Sequence, residues 1–383
     1  MSEWLRNRIR FDRNELSGAF GDIGTDFPLL VGMIVVAGLD VTSSLVLFGA
    51  MQIFTGFFYG IPMPAEPLKA MAVIVITQKL SGHVLFGGGL AIGILMLLLT
   101  VTGLIDWLAR AVPKIVVRGI QLGLGLQLAL LALKDYIPAD KNPGYVLAGI
   151  AFVLTIAFLG NRRFPPALFV ILLGIAYGFL FKIHAGDLAH SFGFTFPQFH
   201  VPSRQDILTG LVVLAIPQLP LSLGNSVLAT RQVAEDFYPD RKFSIRKISA
   251  TYSLMNLVNP FFGGVPTCHG SGGMVGHYTF GARTGGSVVI YGTMYLALGL
   301  FLSRGFSTVI ELFPKPILGV ILLFEGINLM GLIRDQVASK ADFLLVMLIG
   351  LLCVGLPYGY VIGLSVGTAL AYLSHFGLTG LGK

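Results

Sequence analysis

The chain is poor in charged residues and in cysteine. Only 12% of its 383 residues are Asp, Glu, Lys or Arg, and 55% are hydrophobic, whereas a soluble domain carries about 25% charged residues. The two cysteines, Cys268 and Cys353, are far apart in sequence, so no disulfide framework is indicated. Residues 1–14 are polar and basic without an apolar run, and we expect no cleavable signal peptide. These shortages exclude a soluble globular protein and a disulfide-stabilised secreted domain.

Apolar stretches fill the chain instead, and its mean hydropathy is +0.81. Stretches of about 17–25 apolar residues are typical of transmembrane helices. We predict an all-α integral membrane protein with 14 transmembrane spans, of which spans 3 and 10 begin at broken segments and span 3 ends near residue 78. The other twelve lie at about 16–38, 42–60, 84–104, 115–134, 144–160, 165–183, 206–230, 248–262, 286–303, 315–332, 341–356 and 358–376.

The two broken segments share a pattern of aromatic residues, glycine and proline. They read Phe57-Phe58-Tyr59-Gly60-Ile61-Pro62 and Phe261-Phe262-Gly263-Gly264-Val265-Pro266, and each precedes a short extended piece and a helix-compatible run. In a bilayer, broken backbone is tolerated only where protein buries it or where it lines a watery cavity. Paired interruptions at matching places in two halves indicate a transporter binding site. We therefore expect half-helices 3 and 10 to meet at such a site.

A second match supports an internal repeat, because Pro113-Lys114-Ile115 opens span 5 and Pro314-Lys315-Pro316 opens span 12. We predict a 7+7 inverted repeat, with spans 1–7 in residues 1–183, a connector at 184–205 and spans 8–14 in residues 206–383. Most lysines and arginines fall on one side of the membrane if both termini are cytoplasmic, which is the orientation that we predict. These basic loops explain the net charge of +7, and no nucleic-acid partner is expected.

Two half-helix N-termini that face each other would form an anion site, because their first N–H groups are unpaired and their dipoles are positive there. Glycines allow a ligand to approach the backbone, and hydroxyl and imidazole groups add donors. The second broken segment offers both kinds of residue, namely Thr267, Cys268, His269, Gly270, Ser271 and Gly272. The alternative is that these glycines serve only close helix packing.

Acidic residues within apolar spans are costly and usually face a cavity or a partner. Asp22 and Asp26 are four residues apart, hence on one face of a helix, although they could instead cap the span near the interface. Glu66 and Lys69 in the first broken segment are either ligand groups or a structural ion pair. Glu325 in span 12 is a weaker candidate, because no broken backbone lies near it in sequence.

A neutral polar stripe in span 8 consists of Gln218, Ser222 and Asn225 at helical spacing. It suits either hydrogen bonding to an oxyanion or contacts between helices. Catalysis by the neighbouring Cys268 and His269 is not expected, since a nucleophile and its base must converge in space. A metal site that includes His277 is not expected either, because no recognised ligand spacing is present. We expect no cofactor.

Several of these segments resemble the molybdate transporter family, which is related to the SulP sulfate permeases. The resemblance lies in Phe20-Gly21-Asp22-Ile23-Gly24-Thr25, Pro62-Met63-Pro64, Val117-Arg118-Gly119-Ile120-Gln121, Ile216-Pro217-Gln218-Leu219-Pro220, Pro266-Thr267-Cys268-His269-Gly270-Ser271-Gly272-Gly273 and Phe280-Gly281-Ala282-Arg283. It implies a fold shared with nucleobase and bicarbonate carriers. A core domain would hold spans 1–4 and 8–11, a gate domain would hold spans 5–7 and 12–14, and the site would lie between half-helices 3 and 10.

The chain departs from the resembling families at three points. SulP permeases usually end in a cytoplasmic STAS domain, and nothing follows span 14 here, which fits the molybdate branch. The family usually has an apolar or aromatic residue at the place of Asp26 and commonly has Gln at the place of Glu66. We expect these two extra acids to bear on substrate choice or ion coupling.

We interpret the sequence as a secondary active transporter of a tetrahedral oxyanion in the cell membrane, with molybdate first and sulfate or tungstate next. Proton coupling is expected, because a dianion would otherwise bind beside several carboxylates. The candidate proton carriers are Glu66, Asp22 and Asp26, and Lys69 would compensate charge. The candidate substrate ligands are Asp22, Thr25, Gln218, Ser222, Asn225, Thr267, Cys268, His269, Gly270, Ser271 and Gly272.

Two alternatives to this interpretation remain open. A nucleobase:proton symporter on the same fold tends to carry a glutamate in span 8 and another on half-helix 10, where this chain has Gln218 and no acid after Cys268. An anion channel is the other alternative. The lipid bilayer is an expected partner, and the sequence does not choose between a monomer and a homodimer.

Overall fold

Helices make up most of the structure, a computed structural model that describes residues 8–159, 166–181, 193–301 and 314–375. The helices of the first half are α1 Arg13–Ala19, α2 Ile23–Ala37, α3 Val41–Tyr59, α4 Lys69–Gln78, α5 Gly82–Thr102, α6 Leu104–Ala111, α7 Lys114–Tyr136, α8 Lys141–Ala157 and α9 Pro166–Phe181. Those of the second half are α10 Arg204–Phe237, α11 Ile245–Val258, α12 Ser271–Thr279, α13 Gly286–Phe301, α14 Lys315–Gln336, α15 Lys340–Gly355 and α16 Gly359–His375. Two strands complete the described elements, β1 Ala65–Pro67 and β2 Thr267–His269.

Every predicted span contains one of these helices. By length and composition, five helices of the described residues are long and apolar enough to cross a membrane, namely α3, α5, α7, α10 and α14. The others are shorter, and α4 and α12 have only 10 and 9 residues because they start at the broken segments. Helix α6 was not predicted. Of the predicted connector, residues 184–192 lie outside the described part of the chain.

Span 1 was predicted as one helix, and this is wrong. Asp22 is the N-cap of α2 and its carbonyl accepts from the N–H of Asp26 at 3.1 Å, so the two acids still lie one helical turn apart. The interruption lies between the end of α1 at Ala19 and the start of α2 at Ile23. The turn between them brings the backbone of Gly21 against that of Gly276 in α12, where a Cβ on either glycine would meet backbone atoms. This close backbone contact places the interruption between α1 and α2 next to half-helix α12.

Span 8 is longer than predicted. Helix α10 has 34 residues, and residues 211–215 and 222–229 of it are wound as π-helix. It continues to Phe237, so Glu235 and Asp236 lie in the helix and not in a loop. Inserted π turns often mark functional segments, and these two flank the predicted polar stripe.

The two broken segments meet as a pair of antiparallel strands in the interior. Gly60 and Gly263 take left-handed conformations with φ of 63° and 68°, which lets the preceding helical turns stop sharply. Strands β1 and β2 then pair with Glu66 opposite Cys268. Helices α4 and α12 begin directly after the strands, so both N-termini lie in the interior. The repeated sequence pattern thus produces a matched pair of strand-helix units.

Side-chain amides hold the backbone of both strands in matching ways. Gln52 of α3 donates from Nε2 to the carbonyl of Ala65 at 2.6 Å and accepts from the N–H of Ala65 at 2.9 Å. Asn256 of α11 donates to the carbonyl of Thr267 at 2.6 Å and accepts from its N–H at 3.0 Å. A two-stranded sheet leaves one edge of each strand unpaired, and buried backbone groups need partners. The amides of Gln52 and Asn256 therefore replace the missing neighbouring strands.

The helices pack in two groups. In the first group α3 packs along α13, and α5 packs along α10 and α11. In the second group α7 packs along α14 and α15, and α15 packs along α16. Helix α4 contacts α7, and α2 contacts α14, so the half-helices face the second group across a seam.

Loss of either amide is expected to destabilise the fold. Gln52→Ala and Asn256→Ala each leave a buried N–H and a buried C=O without partners, at a cost of about 1–3 kcal/mol per unsatisfied group. Thermal unfolding of the purified protein measures the effect. The matched control is Gln78→Ala, because Gln78 is an exposed amide at the end of α4. Equal unfolding temperatures for Gln52→Ala and Gln78→Ala would refute the bracing role.

Candidate functional site

A cavity of about 270 Å³ lies between the N-termini of the half-helices and helix α14. Its polar lining includes charged, amide and hydroxyl side chains together with glycine backbone. The lining residues are Glu66, Lys69, Gln218, Leu221, Asn225, Ser226, Cys268, His269, Gly270, Ser271, Gly272, Glu325, Asn328, Leu329 and Leu332. Most of the residues that the sequence predicted for the site therefore border one space.

The N-terminus of α4 is closed by a side chain. Oε1 of Gln218 accepts from the N–H groups of Ala70 at 2.9 Å and Met71 at 3.2 Å. Its Nε2 donates to the hydroxyl of Ser222 at 3.2 Å, which in turn shares a hydrogen bond of 2.7 Å with the hydroxyl of Tyr252. Gln218 lines the cavity, but both ends of its amide form hydrogen bonds with other protein groups. It therefore acts as the cap of half-helix α4.

The N-terminus of α12 is only partly closed. Oε1 of Glu66 accepts from the N–H of Gly273 at 2.8 Å, as a carboxylate at a helix start should. The N–H groups of Ser271 and Gly272 make no hydrogen bond to other described residues, and both residues line the cavity. The positive end of α12 thus presents two open backbone donors to the cavity. The start of α4 is more fully closed, since Gln218 accepts from two N–H groups there and only that of Lys69 makes no hydrogen bond to other described residues.

The glycines at this end of α12 have different roles. A Cβ on Gly270 would coincide with the carboxyl group of Glu66, and one on Gly273 would meet the carboxyl groups of Asp22 and Glu66. These two glycines make room for acidic side chains. A Cβ on Gly272 would meet nothing within 4 Å, so its open side faces the cavity. Gly272 is therefore the position where a ligand can approach the helix backbone.

Lys69, the first residue of α4, supplies the cavity's positive charge. Its Nζ lies 3.9 Å from Oε2 of Glu66 and 3.5 Å from Oε1 of Glu325 on α14. Among the described residues of the lining, Lys69 is the only lysine or arginine, and it faces two acids. The ion pair between Glu66 and Lys69, one of the two alternatives for these residues, is present at this longer distance, and Glu325 joins it.

Three carboxyl groups converge behind the cavity wall. One oxygen each of Asp22, Asp26 and Glu66 lies within 4.8 Å of the others, and all three residues are buried. Both carboxyl oxygens of Asp26 and Oδ2 of Asp22 lack a hydrogen-bond partner. Carboxylates only accept hydrogen bonds, so a proton held by one of them would let it donate to a neighbour. This cluster of three carboxyl groups is suited to hold a proton or a cation.

Of the other predicted ligands, His269 borders the cavity, whereas Thr267, Ser222, Asp22 and Asp26 are not part of its lining. The hydroxyl of Thr267 accepts from Asn259 at 3.2 Å, and Ser222 is buried within the network of Gln218. His269 borders the cavity, but its Nε2 lies 2.6 Å from the hydroxyl of Thr251 in α11. Asp22 and Asp26 stand behind Glu66 and do not line the cavity. Thr25 lies in α2, and its side chain is outside the described residues.

Sequence reasoning gave too little weight to α14. Glu325, Asn328, Leu329 and Leu332 all line the cavity, at helical spacing along one face of that helix. An acid within an apolar span was the available signal for Glu325. The missing information was that α14 lies across the cavity from Lys69, which no local pattern indicates.

Comparisons with known proteins agree on a transporter family. A family model described as "Molybdate transporter of MFS superfamily" matches residues 14–128 and 210–329. The chain is 32% identical to Molybdate transporter 2 of Arabidopsis thaliana, over 90% of this chain and 84% of that protein. It is also 32% identical to Molybdate transporter 1 of Arabidopsis thaliana, over 87% of this chain and 82% of that protein.

The fold also has solved counterparts. The transmembrane domain of the cyanobacterial bicarbonate transporter BicA superposes with a TM-score of 0.67, over 95% of this chain and 99% of that domain. Sequence identity is 17%, so this likeness concerns the fold alone.

The closed end of α4 allows a stability test. Gln218→Ala removes the acceptor of two buried N–H groups and is expected to cost about 1–3 kcal/mol for each. Asn225→Ala is the matched control, because the Asn225 side chain borders the cavity and makes no hydrogen bond to another described residue. Thermal unfolding should therefore show a lower melting temperature for Gln218→Ala only. Similar melting of both variants would contradict the capping role.

Proposed function

The chain belongs to the molybdate transporter family, and from this premise we propose that it is a secondary active transporter of a tetrahedral oxyanion. Molybdate is the first candidate substrate, and sulfate and tungstate follow because they share its shape and charge. The open N-terminus of α12, placed in a closed-in cavity next to Lys69, is the observation that carries this proposal.

The proposed anion site combines backbone and side-chain donors. The N–H groups of Ser271 and Gly272 point from the positive end of α12, where anions bind readily. The hydroxyl of Ser271 and the amide of Asn225 border the same space, and Lys69 provides a full positive charge. An oxyanion has several acceptor oxygens and no apolar face, so this set of donors matches its chemistry. Gln218 supports the site by holding α4 in place.

The site also carries more negative charge than an anion tolerates. Glu66 and Glu325 line the cavity, and Asp22 and Asp26 stand behind Glu66. Like charges at short range in a poorly solvated site repel strongly. A proton held by one of the three carboxylates of Asp22, Asp26 and Glu66 would remove one negative charge when the substrate binds. Entry of proton and oxyanion together, and release of both inside, would constitute symport.

We infer that transport proceeds by alternating access. The cavity lining continues along α14 from Glu325 to Leu332, towards the end of that helix where the basic loop residues predict the cytoplasm. The proposed core domain (spans 1–4 and 8–11) and gate domain (spans 5–7 and 12–14) would move relative to each other about this site. The proposed inverted repeat of fourteen spans, with both termini in the cytoplasm of the cell, supplies such a pair of domains.

The open face of Gly272 permits a direct test of the site. Gly272→Leu places a side chain in the cavity without meeting protein atoms at Cβ, so the protein should fold and lose oxyanion binding. Asn225→Ala should weaken binding by about 1–3 kcal/mol, the cost of one buried hydrogen bond to a charged group. Titration calorimetry with molybdate and sulfate measures both. Wild-type affinity in folded Gly272→Leu would disprove the placement of the site.

Substrate class and coupling are tested by uptake into proteoliposomes. Labelled molybdate uptake should be competed by sulfate or tungstate and not by uracil, and an acidic outer solution should stimulate it. Glu66→Gln keeps the acceptor for Gly273 but cannot carry the proton, so it should bind substrate and lose pH dependence and accumulation. Glu235→Gln, at the far end of α10, is the control. Uptake indifferent to pH in the wild type would exclude proton coupling, and competition by uracil would favour a nucleobase carrier.

A further inference from the structure

Lys69 connects two parts of the protein across the cavity. It belongs to half-helix α4, and its partner Glu325 belongs to α14 on the opposite wall, with Nζ and Oε1 3.5 Å apart. Both side chains are largely buried, with exposures of 20% and 10%. A buried pair of this kind is less screened by solvent than one on the surface. The pair is therefore a substantial ionic contact between the proposed core and gate domains.

The two acidic partners of Lys69 are held differently. Glu66 is fixed by the N–H of Gly273 and lies three residues from Lys69 in the same broken segment, so it moves with α4. For Glu325, Lys69 is the one ionic partner among the described residues, and no hydrogen bond to another of these residues is formed. Of the two contacts of Lys69, only the contact with Glu325 crosses the cavity.

An anion in the cavity competes with Glu325 for the same ammonium group. Lys69 is the single lysine or arginine in the described lining, and the open N–H groups of Ser271 and Gly272 border the same cavity. An oxyanion that contacts both Lys69 and α12 would lie close to the carboxylate of Glu325. Two anions at that range repel, and Glu325, which no hydrogen bond to another described residue holds in place, is displaced.

We propose that the Lys69–Glu325 ion pair is a latch that holds the carrier in the arrangement of this structure and that the substrate opens it. The bound oxyanion replaces the Glu325 carboxylate on Lys69 and so removes the ionic contact between α4 and α14. This inference rests on the proposed function as an oxyanion carrier. It assigns Glu325 to the coupling between substrate binding and domain movement, in contrast to Glu66, which stays with the half-helices.

A buried position between α4 and the second helix group can report whether the latch is open. A separate cavity of about 260 Å³ lies between α2 and α4 on one side and α7 and α14 on the other. Ile76 of α4 lines it and is fully buried. Ile76→Cys should react with a thiol reagent only when α4 moves away from the second helix group. Ile74→Cys, on the same helix and equally buried but outside this lining, is the control, and labelling of the buried native cysteines is measured in the parent chain.

The experiment compares Glu325→Gln, Lys69→Gln and the double variant in two assays. Without substrate, the thiol reagent should label Ile76→Cys faster in the Glu325→Gln background than in the wild-type background, while Ile74→Cys stays unlabelled. In titrations with molybdate, Glu325→Gln should bind about tenfold more tightly, within the usual range of coupling between a ligand and a conformational equilibrium. Lys69→Gln should lose binding, and adding Glu325→Gln to it should restore none, since both effects pass through Lys69.

The outcomes separate this proposal from the proposed function. Unchanged labelling of Ile76→Cys and unchanged or weaker molybdate affinity in Glu325→Gln would overturn the latch, and a lower melting temperature alone would make the pair merely structural. The labelling assay needs no substrate, so it decides the latch even if the wild type binds no oxyanion. Absence of wild-type binding to molybdate, sulfate and tungstate would instead refute the oxyanion carrier and, with it, the opening of the latch by substrate.

Discussion

The structure depends on hydrogen-bond partners for the backbone of two helices that begin inside an apolar protein. Every N–H and C=O exposed by such a break needs a partner, because neither lipid nor a dry interior supplies one. Side chains from other elements provide them. Gln52 and Asn256 hold the outer edges of the two strands, and Gln218 and Glu66 accept from the first turns of α4 and α12. These four contacts fix the position of both half-helices.

The candidate site lies where some of these backbone groups have no hydrogen-bond partner among the described residues. Gln218 accepts from two N–H groups at the start of α4, whereas Glu66 accepts from one N–H of α12 and leaves those of Ser271 and Gly272 to the cavity. A matched pair of strand-helix units thus yields an asymmetric site, with its backbone donors on one half-helix and its ammonium group on the other. The asymmetry arises from the side chains, because the two backbones follow the same course up to their caps.

Charge balance then connects the site to movement. Charges inside a protein are stable only when they are paired, and removal of one partner is costly. Lys69 is shared between Glu66 and Glu325, and the acids behind Glu66 add further negative charge. In the proposed mechanism, an incoming anion would change this balance both for a proton shared by these acids and for the contact with α14. Coupling and domain movement would thus begin from the same lysine.

The sequence by itself determined the membrane class, the helix at each predicted span and the two broken segments, because hydropathy and proline or glycine breaks are local properties of the chain. It also placed Gly270, Ser271, Gly272, Lys69 and Asn225 at the site. Only the tertiary structure decided which polar side chains brace the backbone and which border the cavity without such a partner. Gln218 resembled a ligand and is a cap, Thr267 is held by Asn256, and Glu325 faces Lys69. Such roles depend on partners distant in sequence, and a hydrogen bond or an ion pair between distant elements leaves no periodic or compositional trace in the chain.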